Sequence, residues 1–480
     1  MLATQLNELA GAPPVGVDAA LAVVDGFDDA LAAGLGRLGA GGAEALAALA
    51  SAVGATPLGA RAREAADKAA AGSVSDEVLV TLAGARAALL GAAHDALLAG
   101  FDAAAGRARP AVEAAPAAVN ASPPGWAAAL AGCRSWLREL AIAGWRGVDD
   151  ELVSASAQAR QAARAEPGLR RLAVLLDGLA AELRASCPVG AAARLPARRW
   201  ADLWARAQLL AWKGAWPPGP SEPAKRVSGR LLILGAEVAE HDTAVRVQVH
   251  GVLEPAGGAD EGPALVRAGV TAAKVDTIVG PALWRLLDAY PVLLGALAER
   301  RAVEVTDLAL LPGGDLVWRE DGVRLGEAAD PFVTARVLLA GAAAPAAVPL
   351  DRHPVRIAEP VLLEGYATSV DEGHALAFDL GGIPLGVDVG PADNPAASHG
   401  PLTAELLAAS SACLGLLRWD DGAWRLRPLA AQAVVRRKAV TAHAGDWALG
   451  VTDPKIAKVL AKQGDSVAVL RERAGRLLRK

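Results

Sequence analysis

The spacing of apolar and polar positions changes once along the chain, near Ser228. Before that point apolar residues recur every three or four positions, as between Asp76 and Phe101, which is the spacing of a helix with one buried face. After it, apolar and polar residues alternate, as between Val245 and His250, which is typical of a half-exposed strand. The pattern predicts an α+β protein with an all-helical N-terminal half, a strand-rich, mainly antiparallel half, and a helical C-terminal tail.

Tryptophan marks the second part of the helical half, because seven of the twelve tryptophans lie between Trp126 and Trp216. In a helix predicted to begin near Pro196, Trp200 and Trp204 fall on the apolar face, opposite charged residues. This arrangement is typical of a helix that joins a bundle, so we expect the indole rings to form a core. The alternative is a surface for a peptide or for stacked bases.

Proline and glycine divide the chain into regions. The predicted regions are an alanine-rich helical region at 1–123, a tryptophan-rich bundle at 124–227, a β-rich α+β domain at 228–350, and a second β-rich unit with C-terminal helices at 351–480. The longest uncharged apolar run, Val337 to Leu350, contains two prolines and is too short to span a membrane. We interpret it as an interdomain linker.

The strand-rich half also contains predicted helices and turns. Asp321-Gly322 and Asp421-Gly422 lie between similar apolar segments, which predicts two tight type I′ hairpins and leaves open whether they mark a duplication. The remaining predicted elements are strands at 231–238, 245–253, 303–308, 316–325, 356–368 and 374–389, and helices at 280–301, 402–416, 454–462 and 465–480.

Charge and cysteine content narrow the classes of function. A formal net charge of −5, from 48 basic and 53 acidic residues, argues against a general nucleic-acid-binding field. Cys133, Cys187 and Cys413 are far apart and odd in number, so they are interpreted as core residues and not as disulfides or zinc ligands. The N-terminus lacks a basic segment before an apolar one, so we expect a cytoplasmic protein without a signal peptide or a required cofactor.

Linear catalytic motifs give little support for an enzyme. The string from Gly34 to Gly39 matches the glycine spacing of dinucleotide-binding loops, but a helical segment precedes it where such a loop needs a strand. The sequence contains no P-loop, no H-E-x-x-H and no G-x-S-x-G. Glycine-rich composition is the simpler interpretation of the match.

Two groups of ionisable residues are candidate sites in the strand-rich half. His241 and His250 could converge across a hairpin with Glu240 and Asp242 to hold a metal or polarise a water. A second group surrounds a glycine-rich stretch and could supply acid–base chemistry; it comprises Asp371, Glu372, His374, Asp379, Asp388 and Asp393. The alternative for both groups is that they are ordinary polar residues of turns and of the protein surface.

The C-terminal segment is a candidate partner-binding surface. It is rich in lysine and arginine, and its apolar residues form stripes, which suits docking to an acidic partner or nucleic acid. A solvated helix whose basic end complements the helix dipole is the alternative. The candidate contact residues are Lys455, Lys458, Lys462, Arg471, Arg473 and Arg476.

The order of these segments resembles the region downstream of the zinc module in bacterial SWIM zinc-finger proteins, over roughly residues 124–330. The resemblance implies membership of gene sets with a MoxR-type AAA+ ATPase and a von Willebrand A domain protein, as an accessory component. The zinc module's paired cysteines and Cys-x-His are missing here. The resemblance rests on Trp126, Trp136, the segment Arg199 to Trp204, the segment Arg230 to Gly235 and the segment Val245 to Val249.

The sequence favours a non-catalytic adaptor or scaffold with protein partners, because a large, well-patterned chain carries no dense polar motif. The alternative is a hydrolase that uses histidine and carboxylate residues of the strand-rich half, since residues distant in sequence can assemble a site.

Overall fold

The α+β prediction is confirmed: helices precede residue 212, strands lie between residues 225 and 443, and a short helix follows. This is a computed structural model. It describes Leu9, Gly11 and residues 13–110, 124–191, 194–212, 225–241, 243–257, 262–370, 376–389, 398–420 and 422–463.

Nine α-helices form a bundle in the described residues before 212. They share one hydrophobic core, including those on the two sides of Pro123-Pro124, so the bundle is continuous across this predicted boundary. The helices are α1 (Val17–Ala33), α2 (Ala40–Ala52), α3 (Gly59–Ala70), α4 (Asp76–Ala105), α5 (Ala127–Ala143), α6 (Asp150–Ala155), α7 (Ala157–Ala165), α8 (Arg170–Ser186) and α9 (Ala197–Ala211).

Indole rings occupy the bundle core, which confirms the interpretation of the α9 tryptophans. Trp200 and Trp204 are buried, and Trp200 packs edge-on against Trp145 with ring centroids 6.0 Å apart. The Trp204 indole N–H donates to the carbonyl of Leu137 on α5 at 2.9 Å, so its polar atom is satisfied inside the core.

The glycine string after α1 has a packing role. Gly34 and Gly144 end α1 and α5 with positive φ angles of 99° and 68°. A Cβ on Gly144 would lie 2.4 Å from the backbone nitrogen of Gly34. The two helix ends therefore meet through backbone contacts that only glycine permits. This packing accounts for the glycines, so a nucleotide-binding role is not needed to explain them.

The first group of strands closes on itself. Strand β1 pairs with β2, β2 with β3, β3 with β5 in parallel, β5 with β4, and β4 with β1, while β6 adds to β4. A 3-10 turn at Gly280–Leu287 and helix α10 (Pro291–Glu299) connect β3 to β4. The strands are β1 (Lys225–Glu240), β2 (Ala244–Pro255), β3 (Ala264–Ala273), β4 (Arg301–Leu310), β5 (Asp315–Val317) and β6 (Val323–Ala328). We call this closed sheet barrel 1.

The second group repeats the same order of pairing. Strands β7 and β8 flank Gly365 and act as one bent first strand, since β7 pairs with β11 and β8 with β9. Strand β9 then pairs with β10, β10 with β12 in parallel, and β11 and β13 with β12. The elements are β7 (Ala358–Glu364), β8 (Ala367–Val370), β9 (Leu376–Asp379), β10 (Pro384–Val387), α12 (Ala404–Ala408), β11 (Ser410–Asp420), β12 (Ala423–Val435) and β13 (Lys438–His443). We call this sheet barrel 2.

Both barrels have the connectivity of the OB-fold, a five-stranded Greek-key barrel with a helix before its fourth strand. The chain therefore contains a duplicated topology, but the two Asp-Gly turns do not mark it. Gly422 lies in the two-residue turn between β11 and β12, the fourth and fifth strands of barrel 2. Asp321 and Gly322 follow the fifth strand of barrel 1, in a 3-10 turn.

Helix α11 (Pro331–Leu338) lies between the two barrels. Its Phe332 and Ala335 pack with outward-facing residues of both barrels, such as Leu234 of barrel 1 and Leu414 of barrel 2. The barrels also touch directly, because a Cβ on Gly235 would lie 2.6 Å from the Cβ of Leu429. On the other side, the interior of barrel 2 is continuous with the bundle core. Bundle, barrel 2, α11 and barrel 1 thus follow one another as packed layers.

Three predicted elements are wrong in part. The helix predicted at 402–416 ends at Ala408, and residues 410–416 belong to β11, which is covered on both faces and therefore reads as a continuous apolar run. The helix predicted at 280–301 is interrupted before Pro291, which begins α10. The segment at 316–325 is not a hairpin, because β5 and β6 both pair with β4 and not with each other.

One described helix, α4, is long and apolar enough to cross a bilayer by length and composition. Most of its apolar window is buried within the bundle, including Leu79, Leu82 and Leu97. This placement makes α4 a core helix of the bundle.

Candidate functional site

The predicted group around His241 and His250 does not assemble. His250 pairs with Gly235 across the ladder, whereas Glu240 pairs with Val245, five positions further along the strand. At about 3.3 Å per residue the two positions lie roughly 17 Å apart. His241 is exposed in the turn, and Asp242 lies outside the described residues. His250 is instead buried 3.4 Å from Glu237.

Glu240 belongs to a different group, which sequence spacing did not predict. Its two carboxylate oxygens lie 3.0 Å from the Lys274 Nζ and 2.9 Å from the His399 Nε2. Burial raises the pKa of Glu240, but the hydrogen bonds from His399 and Lys274 outweigh burial and leave the pKa below its usual value. The His399 carbonyl accepts from the Trp284 indole at 2.8 Å. The group joins the end of β1, the residue that follows β3 and the loop before α12, so a structural role accounts for it.

The second acidic group is only partly described. Asp379 accepts hydrogen bonds from the Gly381 and Gly382 amides, which fixes a turn. Asp388 pairs with Arg425 at 2.6 Å. Both carboxylates thus have structural partners; Asp371, Glu372, His374 and Asp393 lie outside the described residues.

The predicted C-terminal surface is also described in part. Helix α13 (Pro454–Gln463) begins where predicted, because Asp453 accepts from the Lys455 amide at 2.7 Å. Lys455 and Lys458 are exposed on it. No side-chain position is described for Lys462, and Arg471, Arg473 and Arg476 lie outside the described residues. Their role in partner binding stays a prediction.

A basic β-hairpin projects from barrel 2. We define the basic hairpin as the end of β12 from Ala430, the turn Arg436-Arg437, and β13. Val435 pairs with Lys438, so Arg436 and Arg437 form a two-residue turn, with φ angles of 50° and 64°. Positive φ at both positions defines a type I′ turn, which strongly prefers asparagine and glycine.

The tip of the basic hairpin is exposed and positively charged. Arg436, Arg437 and Lys438 are exposed and make no ion pair with any residue that the structure describes. Exposed valines accompany them on both faces of the hairpin: Val434 is 62% exposed and Val440 36%. Apolar and cationic groups are thus displayed together at one surface.

The outer edge of β13 is partly open. Residues 439, 441 and 443 direct their backbone groups outward, since the Thr441 carbonyl accepts from Arg300 at 3.0 Å and the His443 amide donates to Asp446 at 3.0 Å. By the same alternation, the N–H and C=O of Ala439 and the N–H of Thr441 face outward. Within the described chain they have no hydrogen-bond partner, so an extended segment can pair with them.

A second feature is a cleft where the bundle and both barrels meet. Its cavity volume is about 80 Å³. Arg109 follows α4, Arg267 lies on β3, and Arg356 lies two residues before β7. His94 and His250 also line it. These residues are separated by up to about 260 positions, so no local sequence pattern could have grouped them.

Among the described residues, no group of three or more histidine, cysteine or carboxylate side chains is arranged to hold a metal. Cys133 and Cys413 are buried, and burial raises the pKa of Cys133 to about 11 and that of Cys413 further, which suits core thiols. Comparison of the chain with models of known families, with curated proteins and with solved structures finds no match.

Proposed function

We propose that this chain is a non-catalytic adaptor or scaffold of a cytoplasmic multiprotein assembly, and that its basic hairpin docks an acidic, extended segment of a partner protein. The observation that carries the proposal is the Arg436-Arg437 turn. A left-handed backbone conformation is unfavourable by about 1–2 kcal/mol for a residue other than glycine. The guanidinium groups of Arg436 and Arg437 form no ion pair with a described residue that would offset this cost. Backbone strain that no contact within the described chain offsets suggests that these arginines contact another molecule.

The open edge of β13 specifies how the segment binds. Ala439 and Thr441 offer outward backbone groups to an added strand, and Val440 offers an apolar contact for its side chains. Strand addition takes affinity from backbone hydrogen bonds and specificity from side chains at alternate positions. Carboxylates in the added segment would meet Arg436, Arg437 and Lys438 at the tip.

Protein is a better fit than nucleic acid as the partner. OB-folds that bind single strands stack bases on aromatic side chains beside a basic groove. In the described residues from 225 to 463, every tryptophan and phenylalanine is buried, and the net charge of the whole chain is −5. Connectivity alone does not assign a function.

The resemblance noted above supports one class of partner. Within a MoxR-type gene set, the AAA+ ATPase or the von Willebrand A domain protein would supply the acidic segment. The C-terminal lysines and arginines would then form a second contact.

The test compares three full-length baits in lysate of the native host: wild type, Arg436→Asn/Arg437→Gly, and Arg436→Lys/Arg437→Lys. The first variant keeps the turn and removes two charges, and the second keeps the charges. We expect a partner that wild type and the lysine variant retain and the Asn-Gly variant loses. A synthetic acidic segment of that partner should bind wild type directly.

Three outcomes would contradict the proposal. Recovery of the chain only as a free monomer removes the adaptor function. Equal retention of partners by the Asn-Gly variant removes the basic hairpin as the docking site. Loss of all partners after nuclease treatment indicates nucleic acid instead.

A further inference from the structure

We propose that the cleft between the bundle and the two barrels binds a phosphate group, held by Arg109, Arg267 and Arg356. Each arginine comes from a different part of the molecule: Arg109 from the bundle, Arg267 from barrel 1 and Arg356 from the start of barrel 2. An anion bound there would contact all three parts at once. The planar donors of a guanidinium group can bind two phosphate oxygens together, and those of Arg356 have no described hydrogen-bond partner. Arg109 and Arg267 use Nε and Nη2 on Asp102 and Asp315, so they contribute their remaining N–H groups.

The first two arginines are held in place by carboxylates. Arg109 forms two hydrogen bonds with Asp102, at 2.9 and 3.0 Å, and lies 3.1 Å from Glu359. Arg267 forms two hydrogen bonds with Asp315, at 2.7 and 3.0 Å. These contacts orient both guanidinium groups before any ligand arrives, which lowers the entropic cost of binding.

Arg356 provides the uncompensated charge. Its guanidinium group makes no hydrogen bond or ion pair with any residue that the structure describes, although Arg356 lines the same cleft. The cleft lining contains three arginines, Arg109, Arg267 and Arg356, and one carboxylate among its described residues, Glu359. Asp102 and Asp315 pair with the first two arginines. The Arg356 guanidinium, which no described carboxylate pairs with, favours an anionic ligand over a cation or a neutral molecule.

A buried histidine supplies an additional donor. His250 lines the cleft and is 4% exposed, and its Nε2 has no hydrogen-bond partner, since Glu237 lies 3.4 Å away without hydrogen-bond geometry. A buried polar atom without a partner is rare, and a ligand or ordered water is the usual reason for one. With a proton on Nε2, His250 is a candidate donor to the bound phosphate, in competition with the Glu237 carboxylate 3.4 Å away.

The shape of the cleft depends on the loop between β4 and β5. Gly313 and Gly314 adopt positive φ angles of 88° and 86° and line the opening. The Gly313 carbonyl accepts from Arg267 at 3.2 Å, so the loop also fixes that guanidinium. Gly314 approaches Pro345 so closely that a Cβ would lie 2.4 Å from its Cγ. The loop thus joins barrel 1 to the segment that leads to Arg356.

The test measures binding to the full chain by calorimetry at low salt, with inorganic phosphate, pyrophosphate and ATP without magnesium as separate probes. Tighter binding of inorganic phosphate or pyrophosphate than of ATP identifies a free anion as the ligand, and the reverse identifies a phosphorylated small molecule. Either result supports the phosphate site.

Two variants and one control decide the assignment. We expect Arg356→Ala and Arg267→Ala each to weaken binding of the best probe at least tenfold. Arg356→Ala removes no described hydrogen bond, so folding should be unaffected. The control, Arg226→Ala, removes an exposed arginine that pairs with Asp307 outside the cleft, and binding should not change.

Absence of binding by all three probes would overturn the proposal, as would equal binding by wild type and both cleft variants. None of these results bears on the basic hairpin, because it lies outside the cleft and its partner assay uses different substitutions.

Discussion

At the scale of single residues, ionisable side chains connect the bundle to barrel 2. Asp28 and Arg86 form a buried ion pair with two hydrogen bonds, at 2.7 and 2.9 Å. Asp202 on α9 lies 3.8 Å from Arg86 and 3.7 Å from His353 Nε2. His353 Nδ1 accepts from the Val355 amide at 3.2 Å, so the neutral ring carries its proton on Nε2, towards Asp202. Burial lowers the pKa of His353 to about 4, although Asp202 opposes the shift.

This lowered pKa predicts acid destabilisation. Because the folded state binds the proton less readily than the unfolded state, stability is lost as the pH falls from about 6.5 towards 4, by about 2 kcal/mol at pH 5 for His353. His353→Asn keeps an acceptor for the Val355 amide and cannot titrate. Urea unfolding at pH 7.5 and pH 5 should show a smaller loss for the variant than for wild type. His443, whose pKa burial also lowers to about 4, should leave a residual loss in both.

An equal loss of stability in wild type and His353→Asn would contradict this assignment.

The turn residues of the basic hairpin predict a gain in stability on substitution. Arg436→Asn/Arg437→Gly replaces two strained residues with the pair that a type I′ turn prefers, so the free energy of unfolding should rise by about 1 kcal/mol. Arg436→Ala/Arg437→Ala removes the same charges and keeps the strain, and should give no gain. Thermal unfolding of both variants checks the comparison. A destabilised Asn-Gly variant would show that the arginines support the fold.

At the scale of elements, the sequence pattern predicted correctly the helices and strands that bury one face. It failed for elements that are buried on both faces. Helices α4 and α9 agree with the segments predicted between Asp76 and Phe101 and from Pro196. Strand β11 was mistaken for a helix, because Ala412, Cys413, Leu414 and Leu416 are all buried and leave no alternation.

The β4–β5 loop provides a test at this scale, because its two glycines share positive φ and differ in contact. Gly314→Ala places a Cβ against Pro345, whereas the nearest atom to a Cβ on Gly313 is 3.8 Å away. Both variants should lose about 1 kcal/mol from backbone strain, and Gly314→Ala should lose at least about 1 kcal/mol more from the clash. Chemical denaturation measures the difference, and equal losses would contradict the close contact.

At the scale of the whole molecule, the order of helical and strand-rich halves was predictable, but the two barrels were not. Closing a barrel requires pairs such as Val303 with Leu231, which are far apart in sequence and carry no local signal. The candidate sites failed for the same reason, since Glu240 meets His399 and not His241. The positive φ angles that mark the Arg436-Arg437 turn are visible only in the backbone.

The junction between bundle and barrel 2 predicts unequal effects for two glutamates of β7. Glu359 is 9% exposed and contacts Arg107 and Arg109, while Glu364 is exposed and pairs with Arg336. Glu359→Gln should lower the free energy of unfolding by about 2–4 kcal/mol, because it leaves buried Arg107 without its carboxylate. Glu364→Gln, a surface pair, should cost less than about 1 kcal/mol. Similar costs in denaturant unfolding would show that the junction does not depend on this ion pair.

The proposed function requires that the basic hairpin dock an acidic segment of a partner protein on the edge of β13. Amide hydrogen exchange of the full chain, with and without the acidic segment of the captured partner, tests it most directly. We expect slower exchange at Ala439 and Thr441 in wild type and no slowing in Arg436→Asn/Arg437→Gly. Binding of the segment to wild type with unchanged exchange throughout the basic hairpin would contradict it.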